Sequence, residues 1–103
     1  MDDVSVSDGI NELLSNGGFE TGSFSPSWTK STPNGVCGIF TTGAEIDTSS
    51  CRSGSYCFSD GCGAKSDQIS QSFMVTSGKT YFISFWLKQT GVGLHTYVTI
   101  LLS

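Results

Sequence analysis

Four cysteines have the most specific chemistry in this sequence. Cys37, Cys51, Cys57 and Cys62 fall close together in a small chain rich in serine, glycine and threonine, a pattern typical of a disulfide framework. Zinc binding is the alternative. The spacings contain no Cys-x2-Cys pair, and the only histidine, His95, lies far downstream. We therefore expect the cysteines to be oxidised.

Four cysteines allow three pairings. We favour Cys37–Cys51 with Cys57–Cys62, because the second bridge would close a tight turn around residues 60–61. Two disulfides imply an oxidising compartment, and so an extracellular, secreted protein. The chain opens with acidic residues rather than a basic start and an apolar stretch, so we expect any leader to be missing from this sequence.

Catalysis would require a positioned set of titratable side chains. The sequence offers a single histidine in a strand-like run, no acid pair at a suggestive strand spacing, and serines too numerous to distinguish. We assign no catalytic residue, and we predict that His95 is a solvent-facing strand residue. The protein is expected not to be an enzyme.

The charge pattern excludes two classes of partner. Nine acidic residues against five basic ones give a net charge of -4, and the basic residues are scattered singly. Nucleic acid is not expected as a partner, because no basic stripe could displace counterions from phosphates. Membrane insertion is not expected either, since no apolar run approaches the ~20 residues of a spanning helix.

Short alternating runs separated by turn residues predict an all-β fold, a sandwich or a barrel. The strongest run, 80–88, should place Tyr81, Ile83, Phe85 and Leu87 on a core face. Its opposite face is half polar and half aromatic. The alternatives for that face are a ligand platform, a docking surface for a neighbour, and an outer face partly covered by a loop.

Four segments in order resemble the galactose-binding-like jelly rolls, a family that includes many carbohydrate-binding modules. They are LSNGGFETG at 14–22, followed by Trp28, RSGSY at 52–56, DQISQSF at 67–73 and GKTYFISFW at 78–86. The resemblance implies a two-sheet antiparallel jelly-roll β-sandwich. It also implies that five aromatic side chains point inward: Phe19, Trp28, Tyr56, Phe73 and Tyr81.

The same resemblance implies two kinds of ligand site. Sugar binding in such modules would use exposed aromatic side chains, and Phe82, Trp86 and Tyr97 are the candidates for contact with a sugar or a neighbouring subunit. A structural calcium ion would be held by Glu20 together with Asp2 or Asp3, whose hard carboxylate oxygens suit that ion. No other cofactor is expected.

Residues 2–7 resemble the strand with which such domains usually end, yet they stand first. This divides the chain into an N-terminal strand and linker, 1–13, and a domain, 14–103, which we expect to lack its closing strands. We predict that the displaced strand fills the open sheet edge of a neighbouring copy, with Val4 and Val6 as anchors. Repeated head to tail, this contact builds a homopolymeric filament.

Two functions follow from these features. The first is a non-catalytic extracellular structural module that self-associates by strand donation, and the second is a carbohydrate-binding module. A measurement of size separates them, because a binding module should be monomeric and a strand donor should polymerise.

Overall fold

The computed structural model describes residues 1–33, 35, 43–61, 65, 67–88 and 99. Within these residues there is no helix, which confirms the all-β class. The six strands are β1 (Asp2–Ser7), β2 (Thr29–Ser31), β3 (Ala44–Asp47), β4 (Cys57–Asp60), β5 (Gln68–Ser70) and β6 (Phe82–Trp86). The described part of the chain contains no helix that is long and apolar enough to cross a membrane.

The six strands form three antiparallel pairs: β1 with β6, β2 with β5, and β3 with β4. Every pair joins strands that are distant in sequence or separated by a loop, so the fold depends on long-range contacts. Two continuous sheets are not formed by the described strands. A jelly-roll sandwich would require these three ribbons to join into two sheets, and it therefore remains a proposal.

The displaced strand β1 pairs with β6 of its own chain. Val6 lies opposite Ile83 and is 5% exposed, and the register shifts between Asp2 and Ser5. The strand is held at its start as well, where the Met1 amine donates to the carbonyl oxygen of Phe58. We predicted a partner strand in a neighbouring copy. Here the same apolar burial and backbone pairing are satisfied within one chain.

The pairing also fixes which way β6 faces. Because paired residues share a face, the buried Val6 places Ile83 on the inner side, with Phe85 two residues on. Phe85 is half-buried, as expected. Ile83 and Leu87 were also expected inside, but they are 39% and 47% exposed. Leu87 lines an open cavity instead of a closed core.

The core is a small aromatic cluster around Phe19, which is fully buried. Its ring stacks on Trp28 with 5.6 Å between centroids and lies 6.1 Å from the ring of Phe58. The Trp28 indole nitrogen donates to the carbonyl oxygen of Asn16 at 2.9 Å, so its polar atom is satisfied. The inward orientation predicted for Phe19 and Trp28 is confirmed.

The three other aromatic residues expected inside, Tyr56, Phe73 and Tyr81, are only half-buried.

The motif at 14–22 packs closely against β1 at Gly17. Its carbonyl oxygen accepts a hydrogen bond from the Val4 amide at 2.9 Å, and a Cβ at this position would lie 1.9 Å from the Val4 carbonyl oxygen. Glycine is therefore needed where the motif meets β1.

The observed disulfide joins Cys51 to Cys57, so the predicted pairs Cys37–Cys51 and Cys57–Cys62 are wrong. β4 starts at Cys57 and runs extended to Asp60, which carries the chain away at ~3.3 Å per residue instead of turning it back. The loop before β4 does turn back, and it brings the two bonded residues to a Cα–Cα distance of 5.4 Å. Cys37 and Cys62 lie outside the described residues.

Candidate ligand-binding face

The outer face of β6 consists of Phe82, Ser84 and Trp86, which alternate with the inward-facing residues of the strand. Phe82 is 60% exposed and Trp86 is 55% exposed. Three residues separate Phe82 from Trp86, a span of ~13 Å along β6. Two large aromatic rings with a hydroxyl between them thus face solvent from one rigid strand.

The neighbouring strand β1 adds polar groups beside this face. Ser5 pairs with Ser84, and Ser7 pairs with Phe82. The Ser5 hydroxyl donates to the carboxylate of Glu12, which also accepts from the Val6 amide. Desolvation opposes ionisation of Glu12, but these hydrogen bonds outweigh it and lower the pKa of the carboxyl group. A fixed negative charge therefore stands beside the serine hydroxyls.

One end of the outer face is covered by Arg52. Its guanidinium carbon lies 4.3 Å from the centroid of the Trp86 ring, a cation–π contact. A cavity of about 170 Å³ opens beside this pair. Its lining includes Leu87, Lys88 and both cysteines of the disulfide.

Acidic side chains from two other parts of the chain bind the disulfide-closed loop 51–57. Asp2 is buried and accepts from the Ser53 amide at 3.0 Å, while both oxygens of Asp3 accept from the Ser53 hydroxyl. Glu20 accepts from the amides of residues 55 and 56. The loop thus connects β1 with the motif at 14–22.

Glu20 and Asp3, the predicted calcium ligands, are therefore brought to the same loop. Carboxylate oxygens are suitable donors for calcium, but in this structure they accept hydrogen bonds from N–H and O–H groups. No group of three histidine, cysteine, aspartate or glutamate residues lies close enough to hold a metal ion among the described residues. Calcium binding stays a prediction.

We expect Glu20→Ala to lower the free energy of unfolding by about 1 kcal/mol, because the amides of Ser55 and Tyr56 would lose their acceptor. Gly54 has a φ of 63° and lies next to this carboxylate, so that a Cβ at position 54 would collide with the Glu20 side chain. Urea unfolding in excess calcium and in EDTA separates the loss of these hydrogen bonds from a loss of calcium binding. An equal loss in the two buffers indicates the hydrogen bonds, whereas a loss confined to calcium would contradict this explanation.

A second concave surface lies at the β2–β5 ribbon. This open groove of about 390 Å³ is lined by hydroxyl-bearing residues, Pro26 and Gln71. The Gln71 amide is already engaged, because its oxygen accepts from the Ser15 amide and its nitrogen donates to the Ser15 carbonyl oxygen. The groove presents no aromatic side chain, so the outer face of β6 is the stronger candidate.

Of the predicted contact residues, Phe82 and Trp86 share this exposed face, whereas Tyr97 lies outside the described residues, as does His95. The predicted assembly anchors differ from each other: Val6 is buried within its own chain, and Val4 is half-buried. Arg52 was not predicted. Nothing in its local sequence connects it with Trp86, and only the pairing of β1 with β6 and the loop 51–57 brings them together.

The comparisons with known proteins add no relative. No family model, no curated protein and no solved structure matches this chain. The likeness to galactose-binding-like jelly rolls therefore stays a prediction from the quoted motifs, and the function has to be argued from the geometry.

Proposed function

We propose that this chain is a non-catalytic extracellular module that binds carbohydrate through the outer face of β6. The supporting observation is the exposure of Phe82 and Trp86 on one strand, with Ser84 between them. Apolar rings offer flat surfaces for the faces of sugar rings, and the nearby hydroxyl and carboxylate groups offer hydrogen bonds. In this proposal the three ribbons are parts of a galactose-binding-like jelly roll.

An extracellular location is part of the same proposal. The Cys51–Cys57 disulfide supports it, because such bonds persist in oxidising compartments. The exposed aromatic rings support a binding role in particular, since large apolar side chains that are more than half exposed on one strand are typical of interaction surfaces.

Self-assembly by strand donation is the second candidate, supported by the backbone pairing of β1 with β6, a contact that two copies could exchange. Donation would require β1 to leave β6 and to break the hydrogen bonds that Val4 and Leu13 make across the fold-back at residues 8–17. A copy that exchanged β1 would regain the same contacts in its neighbour. We rank this candidate second, because those contacts are already satisfied within one chain.

We expect Trp86→Ala and Phe82→Ala each to weaken binding to a polysaccharide ligand by roughly tenfold or more, since buried aromatic contacts dominate most binding surfaces. The ligand is first found by screening the purified protein on a glycan array. Affinities are then measured by calorimetry. Both rings are more than half exposed, so the substitutions should leave the unfolding midpoint nearly unchanged.

Met74→Ala is the matched control, because Met74 is 90% exposed and lies outside the outer face of β6. It should bind like the unchanged protein. Sedimentation of the same samples tests the second candidate. Absence of binding to every glycan, together with concentration-dependent polymers that disappear when Val4 and Val6 are both changed to Asp, would replace carbohydrate binding by strand donation.

A further inference from the structure

We infer that the carbohydrate ligand carries a carboxylate, and that Arg52 beside Trp86 forms the subsite for an acidic sugar residue. This inference rests on the proposed function and specifies its ligand class. It is carried by a guanidinium whose N–H groups have no acceptor among the described residues, next to an aromatic ring and an open cavity.

The position of Arg52 is fixed by two features. Its guanidinium lies over the Trp86 ring, with 4.3 Å between the guanidinium carbon and the ring centroid. Its backbone lies in the loop closed by the Cys51–Cys57 disulfide. Because a cation–π contact supplies no hydrogen-bond acceptor, the N–H donors of the guanidinium are left for a ligand.

Those donors have no acceptor among the described residues, in contrast to the cation of Lys79, which pairs with Asp8 at 3.1 Å. An unpaired guanidinium beside a cavity is matched to a carboxylate, which it can bind through two parallel hydrogen bonds. Arg52 is one of only five basic residues in the sequence, and Lys88 lines the same cavity. An acidic chain therefore places two of its few cations at one site.

One carboxylate of the protein, that of Asp2, also lies at this cavity. Its side chain is 3% exposed, and its oxygens accept hydrogen bonds from the amides of Asp3 and Ser53. Asp2 is thus occupied by backbone donors, which stabilise its charge within the protein. Among the described lining residues, the side-chain charges exposed at the cavity are those of Arg52 and Lys88.

The rest of the cavity suits the body of a sugar ring. Trp86 is 55% exposed and Leu87 is 47% exposed, and both lie at the cavity with the disulfide. A pyranose bound here would place its apolar face on these groups and its carboxylate on Arg52. A fully apolar ligand would leave the guanidinium unpaired. A neutral sugar would use only part of the hydrogen-bonding capacity of the guanidinium.

The test compares polygalacturonate and alginate oligosaccharides with their methyl esters, which keep the sugar backbone and remove the charge. We expect the unchanged protein to bind at least one acid form roughly tenfold or more tightly than its ester. Arg52→Gln should remove that preference, so that the acid form and the ester bind with equal affinity. Arg52→Lys should restore only part of it, because an ammonium cannot form the planar, two-point contact.

Lys79→Gln is the matched control, since it makes the same change in net charge away from the cavity. It should keep the preference for the acid form, and circular dichroism should show all variants folded. Equal binding of acid and ester would overturn the inference and leave the proposed function standing. Binding of no glycan would overturn both.

A third result would change the ligand class. A peptide with a free C-terminal carboxylate also offers a carboxylate and an apolar side chain to this cavity. Binding of such a peptide over its amidated form, lost in Arg52→Gln and without binding of any oligosaccharide, would overturn the assignment to an acidic sugar.

Discussion

Replacing Phe19 by alanine is expected to lower the free energy of unfolding by about 3–5 kcal/mol, a large share of the roughly 5–15 kcal/mol that is typical of a folded domain. Phe19 is 0% exposed and contacts the rings of Trp28 and Phe58 at the centre of the core. Its backbone has a φ of 59°. Alanine has a Cβ, as phenylalanine does, so both residues disfavour this positive φ. The loss of stability therefore measures the removal of the ring and not a change in backbone preference.

Denaturant unfolding followed by tryptophan fluorescence measures this effect, because Trp28 stacks directly on the lost ring. Phe82→Ala is the matched control. It removes the same side chain from a position that is 60% exposed and should cost less than about 1 kcal/mol. Similar losses in the two variants would mean that the core is not centred on Phe19.

The second large effect is expected from removing the disulfide, by changing both Cys51 and Cys57 to alanine. The five residues between them, 52–56, should become flexible, at a cost of about 2 kcal/mol from the unfolded-state constraint alone. The loop also holds Asp2 and Asp3 through Ser53. Hydrogen exchange should therefore show lost protection in β1, although β1 contains neither cysteine.

The pairing itself is checked on the unchanged protein without reduction. Cleavage before Asp47 and Asp60 should release residues 47–59 as a single peptide with one internal disulfide, two hydrogens lighter than its reduced form. The pairing first favoured from the sequence would instead link this peptide to two others. Unchanged exchange in β1 of the double variant would show that the loop does not hold that strand.

Local patterns in the sequence predicted the fold class and only part of the core face of β6, because Phe85 is half-buried whereas Ile83 and Leu87 are exposed. Alternation and turn residues alone predicted strands. The inward orientation of Phe19 in the motif at 14–22, and of Trp28 after it, was also predicted correctly. These features depend on neighbours in sequence. A strand has two faces whatever it pairs with, so the exposure of Phe82 and Trp86 could be predicted before their surroundings were known.

Features that depend on distant contacts were missed or wrongly assigned. The cysteine pairing depends on where the chain turns. The turn residues at 60–61 did not indicate that β4 runs extended as far as Asp60. The contact of Arg52 with Trp86 joins parts of the chain that no local pattern connects. The partner of β1 could not be chosen either, because the same alternation suits an edge in its own chain or in a neighbour's.

The pairing of β1 with β6 also has a consequence for the time course of folding. β1 ends at Ser7 and its partner β6 begins at Phe82, so β1 leaves the ribosome long before its partner strand is synthesised. Contacts of such high sequence separation slow folding, because most of the chain must be ordered before they form. Val4 and Val6 stay exposed during this interval, and a nascent chain is most prone to wrong pairing then.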